Sequence, residues 1–142
     1  MREITIRWVE GQVMVGTDSG HHSIVIGKTS GQEPNLIGVK PADLLLMSAA
    51  SCTTWDVVEI LNKQREPVED VKVICTAEQQ PDPPWTFQRM HVHYEFTGDI
   101  NPVRVEKAIK ISEEKYCSVI NTLKLAIPIT IDWVIHTKKE SR

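Results

Sequence analysis

An α+β fold, with largely antiparallel sheet, follows from three features of the 142-residue sequence. Runs with a period of two occur in groups, three near the N-terminus, two in the middle and one at the end. One long apolar stretch, Lys40–Leu61, separates the first groups and is too long for a strand. A helically spaced segment then lies between the fifth strand and the last. The order βββ, long α, ββ, αα, β reads as hairpins with helices inserted between them, not as a βαβ winding. The length suits one domain spanning residues 1–142.

The elements follow in turn. Ile4, Ile6 and Trp8 alternate with Thr5 and Arg7; Glu10-Gly11-Gln12 makes a turn, and Val13 and Val15 resume the alternation. A second turn, Thr17-Asp18-Ser19-Gly20, leads to a strand over His22–Ile26, and Gly31–Gly38, with Pro34 and Asn35, reads as a loop. Pro41 fits the first turn of a helix, where its missing N–H costs nothing, and Asp43 in the same turn complements the helix dipole. From Leu44 to Cys52 apolar residues occupy nearly every angle of this helix. Such a helix must be covered on all sides, so a central position is expected, wrapped by sheet and by a partner subunit.

Val71, Val73 and Cys75 mark the fourth strand, and a Pro-rich loop covers Gln79–Thr86. In Gln88–Thr97, Met90, Val92, Tyr94 and Phe96 take one face while Arg89, His91, His93 and Glu95 take the wet face. Asn101 caps the next helix and Pro102 fills its first turn. Val105, Ala108, Ile109 and Ser112 share one face of it, and a break near Cys117 precedes Val119–Leu125. Ile129, Ile131 and Trp133 define the last strand, and Lys138–Arg142 is a charged tail.

Composition narrows the functional classes. The net charge of −3 gives no general attraction to nucleic acid or anionic lipid. Charged Arg2, Glu3 and Arg7 argue against a signal peptide, and no run of about 18 uncharged apolar residues predicts a membrane span. No Gly-rich phosphate loop supports nucleotide binding. A cytoplasmic location is expected, where structural disulfides are rare.

Three cysteines therefore need an explanation. No CxxC pair exists, which removes a zinc ribbon or a thioredoxin-like motif. Cys52 lies mid-helix, as a buried small hydrophobe or as a thiolate nucleophile. It sits too deep to profit from the helix N-terminus, and Asp56 and Glu59 oppose its ionisation. A reactive Cys52 thus needs a cation from elsewhere in the fold, best an arginine. Cys117 is either packing at a helix junction or a thiol placed at the start of a new helix. Cys75 reads as core filler. His91 and His93 share a strand face, but two histidines fall short of a metal site, so a wet strand face is the simpler reading, no metal is expected, and a metal-binding protein using this pair is the weakest alternative. Trp8, Trp55, Trp85 and Trp133 read as core or interface anchors.

The run Lys40-Pro41-Ala42-Asp43-Leu44-Leu45-Leu46-Met47-Ser48-Ala49-Ala50-Ser51-Cys52 resembles the central-helix motif of the OsmC/Ohr family, the osmotically inducible and organic hydroperoxide resistance proteins. Glu114-Lys115-Tyr116-Cys117-Ser118-Val119, followed by Thr122-Leu123, resembles that family's second-cysteine motif, and Thr17-Asp18-Ser19-Gly20-His21 resembles a turn of its OsmC-like branch. The resemblance covers the whole chain. It implies an OsmC-like fold in which antiparallel sheets wrap long central helices in an intertwined homodimer. It further implies a thiol-dependent peroxidase acting on organic hydroperoxides, with no bound cofactor. Cys52 would be the peroxidatic residue and Cys117 the resolving one, with an external dithiol such as a lipoyl group as reductant. The hydroperoxide-resistance branch carries an arginine in the first hairpin turn and a glutamate after the helix-opening proline. This chain has Glu10-Gly11-Gln12 and Ala42 at those places, which leaves Arg7, near the turn, and Asp43, one position later, as the candidates for those roles. Bulky neighbours including Trp55 would favour organic peroxides. The alternative is a non-catalytic module that binds a small molecule in an apolar pocket at the dimer interface, lined by Cys52.

Overall fold

The computed structural model describes residues 1–28 and 38–137. The expected loop, apart from Gly38, and the charged tail 138–142 lie outside the described residues. The chain divides into two compact units, Met1–Leu45 and Leu46–Arg142.

The N-terminal unit holds a three-stranded antiparallel sheet, β1 (Thr5–Glu10), β2 (Val13–Thr17) and β3 (Ser23–Ile26). Arg7 on β1 faces Val15 on β2 in this ladder. The turn before β3 is held by Asp18, whose Oδ1 accepts the backbone N–H groups of Gly20 and His22, each at 2.8 Å. Such side-chain-to-backbone bonds are what suit aspartate to tight turns. Ile6, Trp8, Ile24 and Val25 are exposed in the single chain.

Helix α1 runs from Pro41 to Lys63, with Asp43 exposed in its first turn. By length and composition alone α1 resembles a membrane-crossing helix. In this fold it buries one stripe, Ala49, Thr53, Val57 and Leu61, at i, i+4 spacing. Elsewhere on α1, Met47 and Trp55 are exposed.

The C-terminal unit is built on a second sheet of order β4 (Val68–Gln79), β5 (Phe87–Gly98) and β6 (Ile129–His136). The alternation along β5 is as strict as the sequence predicts. Met90, Val92, Tyr94 and Phe96 are at most 2% exposed, while His91, His93 and Glu95 reach solvent. Gly98 ends β5 at φ +139°, where a side chain would drive into the Pro67 carbonyl. β4 and β5 pair antiparallel, but β6 pairs with β5 in parallel. The fold is α+β, yet it contains one βαβ crossover that the reading by hairpins did not anticipate. Parallel neighbours need a long connection, and the helical segment after β5 provides it.

That connection comprises α2 (Pro102–Ile111), a π-helical turn (Ser112–Tyr116) and α3 (Ser118–Leu123). Asn101 Oδ1 accepts the Val103 N–H at 3.0 Å and caps α2, with Pro102 in the first turn. The predicted break falls at Cys117, which is extended (φ −71°, ψ 100°) and separates the π turn from α3. Two hydrophobic clusters fill this unit. Val57, Leu61, Val92, Tyr94, Phe96, Ile100, Val105, Ala108 and Ile109 form the larger. Ala49, Met90, Cys117 and Ile120 form the second, with Cys52 packed against it.

Candidate thiol site

α1 carries Cys52 and the crossover carries Cys117, 65 positions later in the sequence. The fold brings them together. Cys117 is fully buried, Cys52 is half-buried beside it, and both are free thiols. Cys117 is fixed by the α3 start, where its sulfur accepts the Ile120 N–H at 3.4 Å. Its thiol is pushed up from an ordinary 9.0 to about 12. Burial is the main cause, and the backbone bond from Ile120 opposes it. A hydrogen bond from the thiol toward the Cys52 sulfur, negative charge on Cys52 and the Asp56 carboxylate push further upward. Cys117 therefore holds its proton at neutral pH. Cys75 is half-buried between the two clusters, and burial raises its thiol as well.

A buried polar chain runs alongside the sulfur pair. The Tyr94 hydroxyl donates to Thr53 Oγ1 at 2.9 Å, and Thr53 Oγ1 lies 3.0 Å from Ser112 Oγ. Ser112 donates to Asp56 Oδ2 at 2.9 Å. A hydroxyl has one proton. With the Ser112 proton on Asp56 and the Tyr94 proton on Thr53, Thr53 donates to Ser112. The result is a one-way relay, Tyr94 to Thr53 to Ser112 to the carboxylate. Thr53 and Ser112 are the buried polar side chains among the described residues, and here each is paired. Burial raises Tyr94 to about 12, against the bonds to Thr53 and Thr54, which lower it.

Sequence reasoning did not single out Thr53, Tyr94 or Ser112 as a group. A signal was present: each is a hydroxyl on an otherwise apolar face of its own element. What the sequence lacks is the register that points all three at one spot.

Arg7 and Asp43 belong to the N-terminal unit, and the two cysteines to the C-terminal one. Two arginines of the C-terminal unit are engaged by carboxylates: Arg89 pairs with Glu78 at 2.7 Å, and Arg104 pairs with Glu66 at 2.9 Å. Trp8, Trp55 and Trp85 are exposed, so none of these three is a core residue of the single chain. Trp55 lines an open groove of about 1010 Å³ with Met47, Ala50, Thr54, Val58 and Val71; Cys52 is not among its lining residues. In the single chain Trp55 walls this groove rather than a pocket that also includes Cys52.

The order of elements, with two three-stranded sheets and a long helix, is that of an OsmC-like protein. The family model for the OsmC-like proteins matches residues 31–132, and the chain belongs to that family. It is 36% identical over 126 residues to protein YhfA of Escherichia coli K12, spanning 88% of this chain and 91% of that protein. A hypothetical protein from Aquifex aeolicus has a similar structure, with a TM-score of 0.83, 28% identity, and coverage of 97% of this chain and 98% of its own. The fold is shared with the organic hydroperoxide resistance protein OsmC of Legionella pneumophila, with a TM-score of 0.66, 15% identity, and coverage of 94% and 96%.

Proposed function

We propose that the protein is a thiol-dependent peroxidase that reduces organic hydroperoxides through Cys52, with Cys117 as the resolving thiol. The family's link to hydroperoxide resistance and redox chemistry supports the reading. The observation that carries it is the inequality of the two sulfurs: Cys117 is buried and protonated, while Cys52 is open enough to meet a substrate.

In the first step the Cys52 thiolate attacks the peroxide oxygen. An S–O bond forms, the O–O bond breaks, and the alkoxide leaves and takes a proton to become an alcohol. Oxidation removes negative charge from Cys52, and with it two of the influences that hold the Cys117 proton. The Cys117 sulfur then attacks the sulfenic acid, its proton leaves with the hydroxyl as water, and a disulfide remains. An external dithiol, for which a lipoyl group is the expected type, restores both thiols by exchange. Such cycling suits the reducing cytoplasm, the location proposed for the chain.

The working form on this reading is a homodimer. α1 leaves Met47 and Trp55 exposed above the groove, and β1 leaves Ile6 and Trp8 exposed. Exposed apolar surface of this kind is characteristic of an interface. The same groove favours the second reading, a binding module for an apolar small molecule at the interface. That reading expects Cys52→Ala to bind its ligand unchanged.

The deciding experiment is stopped-flow oxidation by cumene hydroperoxide. Fast oxidation is expected, abolished in Cys52→Ser, with a dimedone-trappable sulfenic acid accumulating in Cys117→Ser. Oxidation no faster than that of free cysteine overturns the proposal. The same assay in Arg7→Ala and Asp43→Ala reads the roles that the family resemblance assigns to those residues.

A further inference from the structure

Two histidines on one strand face are only half a site, and the fold supplies what the sequence spacing lacks. On β5, His91 and His93 point away from the core, because Val92 between them and Tyr94 after them are fully buried. β6 runs parallel alongside, so His91 is opposite Thr130 and His93 is opposite Asp132. Asp132 Oδ1 lies 3.0 Å from His91 Nε2 and 2.6 Å from His93 Nδ1. All three donor atoms fall within 4.8 Å of one another. The remaining His91 nitrogen, Nδ1, is 2.7 Å from Thr130 Oγ1.

We propose that His91, His93 and Asp132 form a binding site for a zinc-class divalent cation. Imidazole nitrogen and carboxylate oxygen are the donor set such ions take, and three protein ligands leave one position for water. A tetrahedral ion with bonds of about 2.0–2.2 Å holds its ligands about 3.4 Å apart. The present spacings are those of hydrogen bonds, and an ion replacing the shared protons asks for shifts of under about 1 Å. His91 is already oriented by Thr130, as a ligand histidine is by an outer partner. The backbone cannot flip these side chains inward, since a one-residue slip would bring Val92 and Tyr94 to the surface. The ion would tie β6 to β5 across their parallel ladder.

The test is titration of the reduced, EDTA-stripped protein with Co²⁺ and Zn²⁺. One equivalent per chain is expected, with a cobalt spectrum lacking thiolate charge transfer. His93→Ala and Asp132→Ala are expected to weaken binding at least about tenfold, and Thr130→Val about tenfold through the orientation of His91. In the intact protein, zinc-induced imidazole shifts in NMR at His91 and His93, with His22 unmoved, give a readout that needs no variant. A thiolate-to-cobalt band, binding untouched by the β5 and β6 substitutions, or no binding at millimolar zinc overturns the site.

Discussion

The Tyr94 hydroxyl ends its hydrogen bond on Thr53, the residue next to Cys52, at 2.9 Å. A strand side chain is thereby tied to the helix position adjoining the proposed nucleophile. Ser112 in the π turn completes the tie from the other side, at 3.0 Å. Position 53 thus locks together α1, β5 and the crossover that carries Cys117.

Thr53→Val keeps the shape of that lock and removes its hydroxyl. Tyr94 loses its acceptor and Ser112 a donor, both in a dry interior, at a cost of about 1–3 kcal/mol. Urea unfolding is expected to show a lower midpoint with an unchanged slope. A variant as stable as the parent would mean that the relay contributes nothing net.

Alkali should loosen the fold. Cys117 and Tyr94 are both acids whose neutral form is favoured by folding, raised from 9.0 and 10.0 respectively to about 12. Below pH 9 both states keep these protons and the stabilisation is complete. Between pH 9 and 12 the unfolded chain releases them first, so stability falls as pH rises. Chemical denaturation across that window checks this, and Tyr94→Phe should flatten the upper part of the decline. In Cys52→Ala the Cys117 thiol should titrate below the parent value, as read by ultraviolet thiolate absorbance, while burial keeps it above 9.0.

Glu66 joins the end of α1 to the start of α2. Its side chain is 8% exposed, with Oε1 accepting from Arg104 at 2.9 Å and Oε2 accepting the Asn101 N–H at 2.9 Å. Arg104 is half-exposed, so solvent screens part of the ion pair. Glu66→Ala is expected to cost about 1–3 kcal/mol, mostly through the orphaned Asn101 N–H and guanidinium. Equilibrium unfolding measures it, and a loss below about 0.5 kcal/mol would assign the contact to the solvated surface class.

Trp55→Glu places a charge in the α1 groove. Multi-angle light scattering should show a dimer for the parent chain and a monomer for the variant. A monomeric parent would remove the partner subunit from the proposed function.

How much of this was readable from the sequence depends on range. Local signals were strong: the Pro41 start, the Asn101 cap, the β5 alternation and the break at Cys117 each arise within a few residues. The family motifs located both sulfurs. The parallel seat of β6 was not legible, because strand direction is decided by packing across the whole crossover. Asp132 as neighbour of His93 depends on that same register. The relay through Thr53 and Ser112 was hidden for a like reason, as each residue alone is an ordinary hydroxyl in a helix.

The crossover has a consequence for the order of assembly. β4 and β5 form a hairpin and can close locally, whereas β6 must wait for the intervening helices, a long loop to close. The second sulfur rides in that loop. During synthesis the first thiol therefore emerges well before its companion exists. The two thiols meet only when the crossover packs on α1, so the pair is a late product of folding rather than a property of the growing chain.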